Sequence, residues 1–149
     1  MPLFVLSPAS LSASSLFAGY YTYLSANVVT YRLKSGIMLG TGEQGSIRAK
    51  DHKASPQDAE YEEGLKRAVR AHGNFFEYTP FAFFLIFLAE LNGAPTSLVH
   101  GAYATLFVAR VAHAEAGIRT SDTLGSGRPF GTIVTLATIL GAGVYNLSL

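Results

Sequence analysis

The sequence predicts an all-α integral membrane protein, a bundle of four transmembrane helices. Three observations predict it. Charged residues make up only 14% of the 149 residues, against about 25% in a soluble domain. The apolar residues come in blocks: neither 91–109 nor 129–149 contains an Asp, Glu, Lys or Arg, and runs near 20 residues cross a hydrocarbon core about 30 Å thick. Finally, the 11 Lys and Arg residues all fall on one side of a four-span arrangement.

The first span covers about 11–31. It is rich in Ser and small residues, with Asn27 inside and Tyr20, Tyr21 and Tyr23 for an interfacial belt or for packing. No Lys or Arg occurs before Arg32, so the basic n-region of a cleaved signal peptide is missing and a retained helix is expected. A polar, Gly-containing segment from Arg32 to Glu63 follows, read as a loop with one surface-lying or helix-starting part. Ser55-Pro56 suits a helix start there.

The second span covers about 64–91, with Pro80 inside it to free a carbonyl and kink the helix. Asn92-Gly93-Ala94-Pro95 is a tight turn. The third span covers about 96–117 and the fourth, opened by Pro129, about 129–147. Gly131, Gly141 and Gly143 on the fourth suit close helix packing. One domain over 1–149 is expected.

Orientation follows from the cations. Arg32, Lys34, Arg48, Lys50, Lys53, Lys66, Arg67, Arg70, Arg110, Arg119 and Arg128 share the side of the two long loops. The positive-inside rule puts those loops in the cytoplasm and both termini opposite.

The chemistry concentrates at that rim. At 100° per residue, Arg67, Arg70, Asn74, Glu77 and Phe81 share a stripe about 90° wide, bordered by Tyr78. His72 points away and suits a packing role. On the third helix, Tyr103, Arg110, His113 and Gly117 share one face. Arg110 should point inward and seek an anion. Glu77 is the candidate partner, as a structural ion pair or as part of a catalytic group. Arg32 and Arg128 bring guanidiniums from the other two helices. Lys34 and Arg119 suit snorkelling or topology-setting roles. Glu90, near the far end, reads as a solvated rim residue. His52, His72, His100 and His113 show no ligand spacing, so no metal site is expected.

Guanidiniums bind carboxylates bidentately, and a positive site lowers the pKa of a bound thiol. The chain has no cysteine, so any reacting sulfur belongs to a substrate. The residues alone point to an anion site beside lipid, suited to a small zwitterion. No nucleic-acid partner is expected.

The stretch Arg67-Ala68-Val69-Arg70-Ala71-His72-Gly73-Asn74-Phe75-Phe76-Glu77-Tyr78-Thr79-Pro80-Phe81 resembles the helix 2 signature of the MAPEG family, membrane-associated proteins in eicosanoid and glutathione metabolism. Val108-Ala109-Arg110-Val111-Ala112-His113 resembles the family's helix 3 motif. The short 92–95 turn and the Gly-rich first loop look most like the small bacterial-type members. The resemblance implies a homotrimer binding glutathione as co-substrate between subunits, with a lipophilic small molecule from the membrane lipids as second substrate. By motif, Arg70, Asn74, Glu77 and Tyr78 would hold glutathione, with Arg110 and His113 from helix 3 and Arg32 from a neighbour. Arg128 would be the catalytic residue that stabilises the thiolate, with Arg119 as the alternative.

Two departures stand out. Eicosanoid-synthesising members carry a tyrosine where this chain has Gly117. The small hydroxyl that follows the helix 4 arginine in the prostaglandin E synthase is replaced by Thr120-Ser121 and Pro129. Both point away from a specific eicosanoid role. The expected function is transfer of glutathione to lipophilic electrophiles or reduction of lipid hydroperoxides. A non-catalytic scaffold or subunit of a larger membrane complex is the alternative, and a transporter ranks last.

Overall fold

The computed structural model describes residues 7–53 and 55–149. Four helices dominate: α1 (Pro8–Ser35), α2 (Asp58–Leu91), α3 (Thr96–His113) and α4 (Gly127–Leu147). A single π-helical turn, Ala114–Ile118, extends α3. Between α1 and α2 runs a small antiparallel hairpin, β1 (Ile37–Leu39) with β2 (Ile47–Arg48). Strands of two and three residues are too short to show an alternating pattern, so the sequence alone predicts only a loop here.

The helix ends have local causes. Gly36 stops α1 at φ 66°, in the left-handed region that a side chain disfavours. The Arg32 guanidinium donates to the carbonyls of Ile37, Met38 and Gly40 and so fixes the start of the hairpin. Arg48 donates to the carbonyl of Ser35 and pairs with Asp58 and Glu62, tying the loop to the first turns of α2. That helix begins six residues before the expected Gly64. Ser55 sits outside it, where its Oγ accepts the N–H of Gln57 at 3.3 Å.

Helix packing relies on aromatic rings and small residues. Phe17 of α1 meets Phe75, Phe83, Tyr103 and Phe107, with ring centroids 5.3–6.3 Å apart. Ala68, Ala71, Ala82 and Ala89 bury the inner face of α2. Lipid tails are as apolar as these side chains, so contact and close approach drive association here, more than escape from water.

The α3–α4 contact is backbone on backbone. A Cβ added to Gly127 would stand 2.2 Å from the carbonyl oxygen of Ala112, and one on Gly131 would stand 2.4 Å from that of Ala109. Gly127 and Gly131 are four residues apart, the small-xxx-small spacing of membrane helices. Gly141 and Gly143 have nothing within 4 Å of that position, so no neighbour in the chain requires a glycine there.

The outer face of α4 is apolar. Ile133, Leu140, Val144 and Leu147 of α4 are all at least 67% exposed. By length and composition, α2 and α4 are each able to cross a membrane.

Candidate functional site

A cavity of about 610 Å³ opens where α2, the end of α3 and the start of α4 meet. From α2 it is lined by Glu63, Lys66, Arg67, Arg70, Asn74 and Glu77, from α3 and the π-turn by His113 and Ile118, and beyond them by Thr123, Arg128 and Thr132. Four cations face two carboxylates, which leaves the wall positive. The helical period assembles one side of it: residues 63, 66, 67, 70, 74 and 77 recur at spacings of three and four.

Arg70 and Glu77 are exposed and Asn74 is partly buried. Arg110 is buried at 2% exposure and does not line the cavity. It donates to Asn74 Oδ1 and to Thr135 Oγ1 of α4. The expected Arg110–Glu77 pair is not formed. Thr135 and Asn74 draw the guanidinium behind the wall, while Glu77 points outward from the same stripe. Tyr78 follows Arg110: its ring lies 5.6 Å from the guanidinium carbon, and it too is outside the cavity lining. Arg110 therefore acts on the site through Asn74. With Oδ1 engaged, the Asn74 amide is held in one orientation.

His113 lines the cavity but is 4% exposed. Its Nδ1 lies 2.9 Å from the backbone oxygen of Arg128 and 3.3 Å from Thr132 Oγ1. Arg128 is exposed and donates to the carbonyl of Thr123 at 3.3 Å. Thr123 has φ 58°, a conformation that β-branched residues rarely adopt. The 3–4 loop enforces it through Asp122, whose carboxyl accepts the Leu124 N–H and the Thr120 hydroxyl. Those two bonds hold the Asp122 carboxyl below the usual carboxylate range.

Arg119 is elsewhere. It donates to Tyr23 and to Glu115, locking the π-turn onto α1. Arg32, spent on hairpin carbonyls, is not in the lining within one chain. His72 packs on α1, 3.1 Å from Ser25 Oγ.

Sequence reasoning missed Glu63, Lys66, Thr123 and Thr132 as lining residues. Thr132 had a signal, because it sits one helical turn after Arg128. Thr123 had none, since its place depends on a loop conformation. Glu90 is not the solvated rim residue its position suggests. It is 7% exposed and accepts the N–H groups of Ala9 and Ser10 at 2.8 and 2.9 Å. A rim carboxylate in sequence becomes a buried cap once α1 folds beside it. Among the described residues, no cluster of three His, Asp or Glu side chains has the arrangement to hold a metal.

Comparison with known proteins fits this architecture. A 49-residue stretch is 43% identical to the inner membrane protein YecN of Escherichia coli strain K12, covering 33% of this chain and 37% of that protein. YecN of Escherichia coli O6:H1 matches equally. The chain thus aligns with little more than a third of the length of these curated relatives. No solved structure matches. The MAPEG family matches residues 10–148, from the start of α1 to the end of α4. Over that length, which takes in all four helices and every residue of the cavity, the chain belongs to the MAPEG family.

Proposed function

We propose that this chain is a glutathione-dependent membrane enzyme acting on lipophilic electrophiles or lipid hydroperoxides. The observation that carries the reading is the convergence of Arg70, Asn74, Glu77 and Arg128 on one positive cavity. Glutathione has two carboxylates and one ammonium group. Arginines suit the first two, and Glu77 suits the third. A volume of about 610 Å³ is within the range of small-molecule sites, roughly 300–1,000 Å³.

In this reading Arg128 stabilises the thiolate, and the Thr132 hydroxyl beside it supplies a polar contact. In conjugation, the thiolate attacks the electrophilic carbon, the leaving group departs with the electron pair, and the thiol proton goes to solvent. In peroxide reduction, the thiolate attacks the terminal oxygen and an alcohol leaves. A second glutathione then converts the sulfenic acid to the disulfide and water. Arg110 and His113 position groups of the site. The reading includes a homotrimer, in which a neighbour's α1 closes the cavity and brings Arg32 to it. It also includes cytoplasmic long loops, since all the Lys and Arg residues lie on that side.

The test uses purified protein in detergent, with glutathione thermal shift and conjugation of a chromogenic aryl halide. Arg128→Ala should lower turnover about 10²-fold while the protein stays folded. Well-folded wild-type protein that shows neither a shift nor turnover would overturn the reading.

One observation favours a second reading, a non-catalytic scaffold. Gly117 is buried against the backbone of Arg128, so position 117 offers the site no hydroxyl. A scaffold predicts that Glu77→Gln weakens assembly while glutathione leaves the unfolding temperature unchanged.

A further inference from the structure

Arg67 stands between two cavities. It lines the one described above and also a smaller cleft of about 360 Å³ beside Tyr31, Lys34 and Tyr61. Its Nε is buried and has no hydrogen-bond partner. The nearest carboxylate is Glu63, one turn earlier on α2 and shared by the same two cavities. Glu63 Oε1 lies 3.7 Å from Arg67 Nε, and its Oε2 lies 3.6 Å from Lys66 Nζ. Both distances are within ion-pair range and too long for good hydrogen bonds. One carboxylate is divided between two cations and satisfies neither.

Five of the other six arginines differ; among the described residues Arg70, on the same cavity wall but exposed, also donates to no oxygen. Arg32, Arg48, Arg110, Arg119 and Arg128 each donate to a carbonyl, a carboxylate or a side-chain oxygen. Among the described residues, Arg67 donates to none, although a guanidinium carries five N–H donors in a fixed fork. Glu63 is 47% exposed and Arg67 26%. A half-exposed pair of this kind within one helix is weak, whereas a bidentate carboxylate on arginine is strong.

We propose that Arg67 is a further anion-binding residue of the cavity and that Glu63 is its resident competitor. The ligand's carboxylate takes Arg67 by displacing Glu63, which turns outward into water. The inference rests on the glutathione reading for the identity of the ligand. It adds a selection step. Anions that bind at a single point, such as inorganic phosphate, gain too little to displace Glu63. A dicarboxylate anchored elsewhere on Arg70 gains enough, because its second contact is intramolecular.

The experiment is calorimetric titration of glutathione into the detergent-solubilised full chain. Glu63→Gln should tighten binding about threefold, a gain that general structural damage would not produce. Arg67→Gln should weaken it about tenfold, and Arg67→Lys should fall between. In the Arg67→Gln background, Glu63→Gln should have no further effect, because the competition has lost its object. Thermal unfolding of each variant checks that it is folded. If wild type binds glutathione but Glu63→Gln does not tighten it, or Arg67→Gln leaves it unchanged, the competitor role is wrong and the glutathione site stands. Wild-type protein that binds no glutathione removes both.

Discussion

His113 Nδ1 meets the backbone oxygen of Arg128 at 2.9 Å, which joins the last residue of α3 to the first turn of α4. The ring is buried and its donor is committed to a carbonyl. Its effect on the site therefore passes through the position of Arg128. Removing one hydrogen bond of this kind costs about 1 kcal/mol, and more when the acceptor stays buried. The acceptor here keeps the Thr132 hydroxyl at 2.9 Å, so the cost should sit at the low end. We expect His113→Ala to lower the unfolding temperature modestly and to reduce turnover more than it reduces glutathione affinity. His113→Asn, whose amide N–H can replace Nδ1–H, should recover most of the turnover. The rates of both variants in the conjugation assay decide it. Equal loss in the two would mean that the ring, not its hydrogen bond, is what matters.

Gly117 tests the same junction from the other side. A Cβ built on it would stand 2.6 Å from the Arg128 nitrogen and 2.9 Å from its Cα. Ordinarily, Gly→Ala in a helix stabilises by about 1 kcal/mol. Here the contact is with backbone, which cannot swing aside, and overpacking of this sort costs about 1–3 kcal/mol. The second effect should win. Gly117→Ala is expected to lower the unfolding temperature and to depress any turnover that depends on Arg128. Gly117→Tyr should be worse still, so a grafted tyrosine would not restore an eicosanoid-type site. A rise in stability for Gly117→Ala, read by thermal unfolding, would show that the helices are not in such close contact.

The features that were legible in the sequence are those set by local period and by charge placement. The four helices follow from charge-free runs and from cations gathered at their ends. The polar face of α2 follows from spacings of three and four, and the structure puts Arg67, Arg70, Asn74 and Glu77 on one cavity. Partner choice was not legible. Arg110 and Glu77 looked complementary as charges, but Thr135 of α4 and Asn74 settle where the guanidinium lies, and nothing local to α3 encodes α4. Nor were the contacts of Arg32 within its own chain legible, where the hairpin that follows it offers three carbonyls within its reach. The π-turn at 114–118 was equally hidden. It turns Glu115 and Arg119 toward α1 while Gly117 meets α4, which an uninterrupted 3.6-residue period does not anticipate.

Glu90 carries the last prediction. An acidic residue in the final turn of its own helix opposes the helix dipole, so its burial must be offset from outside α2. The first turn of α1 does this. The N–H groups of Ala9 and Ser10 have no partner inside α1, as for any helix start, and Ser7 gives no side-chain cap. Glu90 accepts both at 2.8 and 2.9 Å and takes the Ser10 hydroxyl as well, and that hydroxyl is 2.7 Å from the Tyr103 hydroxyl. One carboxylate thus caps a helix 80 residues away and reaches α3 through Ser10. Glu90→Ala leaves two buried donors unpaired, at about 1–3 kcal/mol each. We expect a clear fall in unfolding temperature and faster hydrogen exchange at the start of α1. Glu90→Gln keeps one acceptor oxygen but brings an N–H₂ group against donors, and it should lose about half as much. The cavity lies near the other ends of α1 and α2, so glutathione affinity should change little in either variant. Unchanged exchange in the first turn of α1 on Glu90→Ala would mean that the cap does not hold that helix in place.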